Sequence, residues 1–146
     1  MEKKSDTYQI ASDIQWEYAG DGVVRQIMGY DENLMTVKVK CNQGSIGPLH
    51  QHPHTQTTYV ASGCFEVTIG EEKKILRAGD GYYVAPNLPH GCVCLEAGVL
   101  IDTFTPIGPA DSGRSNGTWT LTADTYITSF KGEVSHIKTN GRLTSS

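Results

Sequence analysis

The sequence predicts an all-β, single-domain protein built as a sandwich or barrel. Three observations lead there. Short runs of β-formers alternate apolar and polar positions. In LMTVKVK (34–40), Met35, Val37 and Val39 fall on one side and Thr36, Lys38 and Lys40 on the other. Sixteen glycines and six prolines break the chain at short intervals, as turns between strands require. No stretch carries a 3.6-residue apolar period, so no helix is expected between about residues 20 and 106. A chain of 146 residues is one domain by length, with room for a modest core.

The expected elements follow in order. Residues 1–15 read as an N-terminal arm and 16–106 as the barrel. Within the barrel, CFEVTI (64–69) alternates like LMTVKVK, with Phe65, Val67 and Ile69 on one side. GEEKK then turns the chain into ILRAGDGYYV, and CVCLEAGVLIDTF reads as a hairpin around Glu96, Ala97 and Gly98. After Pro106 the composition shifts to Ser, Thr, Gly and Asn. Residues 107–146 read as a C-terminal extension that could add an edge strand or two before a mobile tail holding His136.

Charge narrows the partners. The net charge is −4 and no Lys/Arg cluster could track phosphates, so nucleic acid is not expected. No apolar run approaches the ~20 residues of a membrane span. The opening MEKKSDTYQ lacks the apolar core of a signal peptide, which leads to the expectation of a cytoplasmic protein. Cys41, Cys64, Cys92 and Cys94 would then stay reduced. Cys92 and Cys94 form C-x-C without a second pair, and read as small strand residues.

Chemistry concentrates in PLHQHPHTQTTYV (48–60), which holds three of the five histidines. Alternate residues of a strand share a face, so His50 and His52 point the same way and suit one metal ion. Gln56 lies four residues beyond His52, and His90 sits in the proline-bracketed APNLPHG. Three imidazoles and an amide oxygen suit one borderline divalent transition metal ion, such as Ni, Zn, Fe, Mn or Co. Two coordination positions would stay open for water or substrate. His54 also fits the alternation and is the alternative to Gln56, but the turn implied by Pro53 favours Gln56.

These residues carry a family resemblance. Gly44-x5-His50-x-His52-x3-Gln56-x6-Gly63 resembles the first cupin motif, with Gln in place of the usual Glu, and GDGYYVAPNLPH (79–90) resembles the second. That resemblance implies a single-domain cupin, a jelly-roll barrel also called a double-stranded β-helix, with His50, His52, Gln56 and His90 as metal ligands. NLMTVKV, GPLHQHPHTQTTYV and PNLPHGCVCLEAGVLIDTFTP further resemble the KdgF cupins of pectin and alginate degradation, from about Trp16 to Pro106. Such enzymes open 4,5-unsaturated uronate monomers to linear 5-keto-4-deoxyuronates. The resemblance implies catalytic roles for Asp102 and Phe104. The family's arginine shortly after them is not matched, since Gly108 stands there and the nearest later arginine is Arg114.

The residues themselves lend support. In a hairpin turning at Glu96–Gly98, Cys92 opposes Asp102 and His90 opposes Phe104, so all four share a face. A carboxylate among Leu100, Ile101 and Phe104 needs a partner, and a raised pKa would suit Asp102 to acid/base work. Arg25 and Arg77 are candidates for holding a substrate carboxylate. Tyr59, Tyr82 and Tyr83 are candidates for contacting a sugar. The expected partner is a small-molecule sugar acid, and unpaired barrel edges favour a homodimer. Two other classes remain open. One is a different metal-dependent cupin enzyme, an isomerase, cyclase or dioxygenase. The other is a non-enzymatic cupin that binds a sugar or metal.

Overall fold

The computed structural model describes residues 4–105. The expectations for 107–146, His136 and Arg114 lie outside the described residues. A single 3-10 turn, Ala11–Asp13, precedes eight strands: β1 (Glu17–Gly20), β2 (Val23–Tyr30), β3 (Met35–Cys41), β4 (Ile46–His50), β5 (Gln56–Ile69), β6 (Glu72–Arg77), β7 (Gly81–Val84) and β8 (His90–Phe104). All pairings are antiparallel. The order is β1-β2-β3-β8-β5-β6, with β4 also on β8 and β7 also on β5. The all-β expectation holds.

The two long strands organise the molecule. One end of β8 runs between β4 and β5, the other between β3 and β5. Glu96–Gly98 is therefore not the tip of a hairpin, as the sequence suggested, but the middle of one continuous strand. The tight turn expected there is replaced by close strand contact. A Cβ on Gly63 would lie 2.6 Å from Gly98 Cα, and Gly63 itself has φ +85, a conformation that only glycine adopts cheaply. Two facing glycines let the strands bend against each other, which a side chain at either would block.

The same point resets the alternation. The β5–β8 register shifts between Val60 and Phe65, a bulge that turns a strand's faces over. Before it Gln56, Thr58 and Val60 are buried, and after it Phe65 and Val67. On β8, His90, Cys94, Leu100, Asp102 and Phe104 are buried, all at even positions, while Glu96 at the bend is exposed. His90, Asp102 and Phe104 thus share a face, as expected, but through plain strand alternation rather than hairpin pairing.

On β3, Met35, Val37, Val39 and Cys41 point inward, as LMTVKVK predicted. They join Val60, Phe65, Val67, Cys94, Leu100 and Phe104 in the apolar core. The described part of the arm lies along β2. Ser5 N–H donates to Tyr30 O at 2.8 Å, and the Gln26 amide donates to the carbonyls of Ala11 and Ile14 at 3.0 and 2.8 Å. The four cysteines are free thiols.

Candidate metal centre

Three loops and strand ends bring the histidines together. His50 is the last residue of β4 and pairs with His90, the first of β8. His52 sits beyond the strand end in the 51–55 loop, so its convergence with His50 comes from the loop and not from strand alternation. The loop before His90 is tied to this one: Asn87, at φ +63, donates its N–H to His52 O at 2.7 Å. The His50–His90 and His52–His90 ring centres lie 4.3 and 4.8 Å apart. One ring nitrogen from each of His50, His52 and His90 falls within 4.8 Å of the others.

Backbone carbonyls fix which nitrogen that is. Nδ1 of His50 lies 2.8 Å from Pro48 O, Nδ1 of His52 lies 3.1 Å from His54 O, and Nδ1 of His90 lies 2.9 Å from Leu88 O. A carbonyl only accepts, so each Nδ1 carries the proton and each Nε2 presents a lone pair. The Nε2 atoms of His50 and His90 are buried without a hydrogen-bond partner. Nε2 of His52 faces Oε1 of Gln56 at 3.1 Å. Buried lone pairs aimed at one another are costly unless something between them accepts electrons. Anchoring the far nitrogen to a carbonyl is also how liganding histidines are held. The donor set therefore fits a divalent cation, and the three histidines could hold one.

Electrostatics agree. Burial pushes the His50 pKa down to about 4, helped by His90, and that of His52 down to about 3, helped by His90, His54 and His50. Burial lowers His90 as well. All three imidazoles are neutral near pH 7, the form that binds metal. His54 stands apart from the cluster. It is buried against Phe104 and His52, with Nδ1 2.7 Å from Thr105 O.

The cavity beside the cluster is lined by His50, Gln56, Tyr82, His90, Cys92, Leu100 and Asp102, among others. Asp102 is 4 % exposed, and burial raises its carboxyl pKa to about 7, with the Thr58 hydrogen bond partly offsetting the shift. The partner that a buried carboxylate requires is Thr58, whose Oγ1 donates to Asp102 Oδ1 at 2.7 Å. The Phe104 ring packs nearly edge-on behind His52, 6.0 Å between ring centres, without lining the cavity itself.

The expected substrate residues are distributed differently. Tyr59 and Tyr83 are 53 % and 59 % exposed on the outer face of the sheet, away from the cavity; Tyr82 is the tyrosine that lines it. Arg25 is fully buried on β2, its guanidinium 3.3 Å from Glu17 Oε1, and does not line the cavity. Arg77 is exposed, at 3.2 Å from Cys64 Sγ. Sequence reasoning passed over Thr58, while Cys92 lines the cavity on the face expected of it. Thr58 was accessible in principle, since it lies two residues beyond Gln56 and so shares its face in a strand.

An antiparallel β-barrel with three neutral histidines at one end is a cupin arrangement, and the Cupin domain family matches residues 37–104. The chain belongs to the cupin family. The particular cupins it is similar to are the KdgF proteins. It is 48% identical over 101 residues to the pectin degradation protein KdgF of Dickeya dadantii (strain 3937), covering 68% of this chain and 92% of that one. Among solved structures, KdgF from Halomonas sp. is 34% identical with a TM-score of 0.67, over 72% of this chain and 97% of that one. An RmlC-like cupin from Shewanella frigidimarina NCIMB 400 is 37% identical with a TM-score of 0.70, over 73% and 96%. The similarity supports an enzyme of pectin degradation. Among the described residues no helix is long and apolar enough to cross a membrane.

Proposed function

We propose that this protein converts 4,5-unsaturated uronate monomers, released from pectin or alginate, to linear 5-keto-4-deoxyuronates. The observation that carries this reading is a buried carboxyl, Asp102, held near neutral pKa in the cavity beside three lone-pair-presenting histidines. The similarity to KdgF proteins chooses the substrate class.

His50, His52, His90 and Gln56 would hold one divalent cation, whose identity among Ni, Zn, Fe, Mn and Co is left open. Bound there, it supplies Lewis-acid polarisation of the sugar's oxygens. The rest falls to the chain. The reaction is an isomerisation: a proton leaves the anomeric hydroxyl, the bond from C1 to the ring oxygen breaks, and C4 gains a proton as C5 becomes a ketone. Asp102 takes the first proton and returns one to C4, roles that suit a carboxyl of pKa about 7 because it exchanges protons readily near neutrality. Leu100, which lines the cavity, and Phe104, which backs His52, are both 2 % exposed and keep water from that side, which strengthens each polar contact. Tyr82 offers a phenol to a sugar hydroxyl. Tyr59 and Tyr83, exposed on the outer face, take no part in that contact; a cytoplasmic homodimer is the expected form, and sedimentation of the purified chain checks the dimer.

The test is optical. Unsaturated uronates absorb near the ultraviolet edge and the linear ketone does not. Metal-loaded protein is expected to speed the loss of that signal well above the spontaneous rate. Unchanged loss across several uronate monomers, with metal bound, would overturn the reading in favour of another cupin chemistry or a binding role.

A further inference from the structure

Between the histidine cluster and Asp102 runs a short chain of hydrogen bonds. The Gln56 amide nitrogen donates to Thr58 Oγ1 at 2.9 Å, and Thr58 Oγ1 donates to Asp102 Oδ1 at 2.7 Å. At the other end of the same amide, Oε1 faces His52 Nε2 at 3.1 Å. Gln56 and Thr58 are each 4 % exposed or less, so water does not compete for these contacts.

The polarity of this chain follows from proton counting. In its ionised form, the one a general base needs, Asp102 only accepts, so the single hydroxyl proton of Thr58 goes to it, as the 2.7 Å contact to Oδ1 shows. The hydroxyl oxygen then has only lone pairs left for Gln56, which must turn its NH2 group toward Thr58. The amide oxygen is thereby driven to the opposite side, where the histidine lone pairs converge. Tyr82 pairs with Thr58 across β5 and β7. A glutamine is otherwise free to present either end of its amide. A glutamate in its place would present an oxygen either way, so this device is needed because position 56 holds Gln.

We propose that Thr58 is a positioning residue: its hydroxyl locks the Gln56 amide with oxygen toward the metal-binding histidines and holds Asp102 in the cavity. The first half concerns metal binding alone, and only the second rests on the uronate-opening reading. Thr58 touches neither substrate nor metal. It acts through its two neighbours, with effects of the size such supporting contacts usually have, roughly 10- to 100-fold.

The test uses the full chain, freed of metal and titrated with Co2+, whose absorption reports ligand number. Thr58→Val keeps the side-chain volume and removes the hydroxyl; Thr58→Ser keeps the hydroxyl. Thr58→Val is expected to weaken Co2+ binding roughly tenfold and alter the Co2+ spectrum, with Thr58→Ser within about threefold of wild type. In a Gln56→Glu background the same Thr58→Val change is expected to cost no more than about twofold. A merely structural role predicts equal losses in both backgrounds. If Thr58→Val folds poorly, Thr58→Ala gives the same comparison. Equal losses in the two backgrounds, or wild-type affinity and spectrum in Thr58→Val, would overturn the proposal. If the wild type opens uronates, Thr58→Val should also lower kcat more than it raises KM, and Thr58→Ser should restore it. Absence of uronate turnover in the wild type would overturn the functional reading and leave the Co2+ arm intact.

Discussion

Oε1 of Gln56 and Nε2 of His52 lie 3.1 Å apart with no proton to share, because the His52 proton is committed to the His54 carbonyl on the far side of the ring. This contact, unfavourable in an empty protein, is what a shared cation would relieve. Gln56→Leu, nearly isosteric, should therefore stabilise the metal-free protein and weaken Co2+ binding about tenfold. Opposite shifts in melting temperature without and with Co2+ check this.

The histidines set a pH limit. Their folded pKa values lie below the ordinary 6.5, at about 4 for His50 and about 3 for His52. Folding thus favours the neutral rings. The stability they contribute is present above pH 6.5 and is lost as pH falls through about 4. Protons should compete with metal only in that acid range. In Asp102→Asn, where the neighbouring carboxyl no longer titrates near 7, Co2+ affinity is expected to stay nearly flat from pH 8 to about 5.5. A loss beginning at 6.5 would mean solvent-exposed rings.

Asp102 has the opposite sign. Its folded pKa, about 7, lies above the ordinary 3.8, so folding favours the protonated carboxyl. That contribution is complete below about pH 4 and lost as pH rises through 7. In metal-free protein, Asp102→Asn should match wild type at pH 4 and exceed it by about 2–4 kcal/mol at pH 8, from roughly 1.4 kcal/mol per unit. Metal content should be unchanged and uronate turnover should fall at least about 100-fold. Denaturant melts at the two pH values and the optical assay check these outcomes.

The crossing of β5 and β8 depends on Gly63 and Gly98. A Cβ on Gly98 would run into Ser62 O and Gly63 Cα, and both are backbone, which cannot swing aside. Gly98→Ala should destabilise the protein by at least about 2 kcal/mol, measured by urea unfolding. Gly44→Ala, where a Cβ meets nothing within 4 Å, should cost less, limited to the strain of its φ of +88.

Much of this was legible in the sequence, and the gaps have physical causes. The alternation in Met35–Val39 was read correctly because one side of β3 is packed in the core and the other is not. His50, His52 and His90 were found because imidazoles at such spacing have few other reasons to cluster. Glu96–Gly98 was misread because its composition suits a hairpin turn; only the approach of Gly63 from β5, distant in sequence, reveals a bend. Thr58 was passed over because a threonine in TQTTYV reads as an ordinary strand former, and its pairing with Asp102 is a long-range contact between β5 and β8. Tyr59, Tyr82 and Tyr83 stood as equal candidates because nothing in YY says which ring faces inward.

Metal stoichiometry tests the central claim most directly. Elemental analysis of the purified full chain should find about one divalent transition metal ion per chain, with His50→Ala, His52→Ala and His90→Ala each folded and each nearly metal-free. A metal-free wild type that takes up no Co2+, or three alanine variants that retain full metal content, would contradict the account.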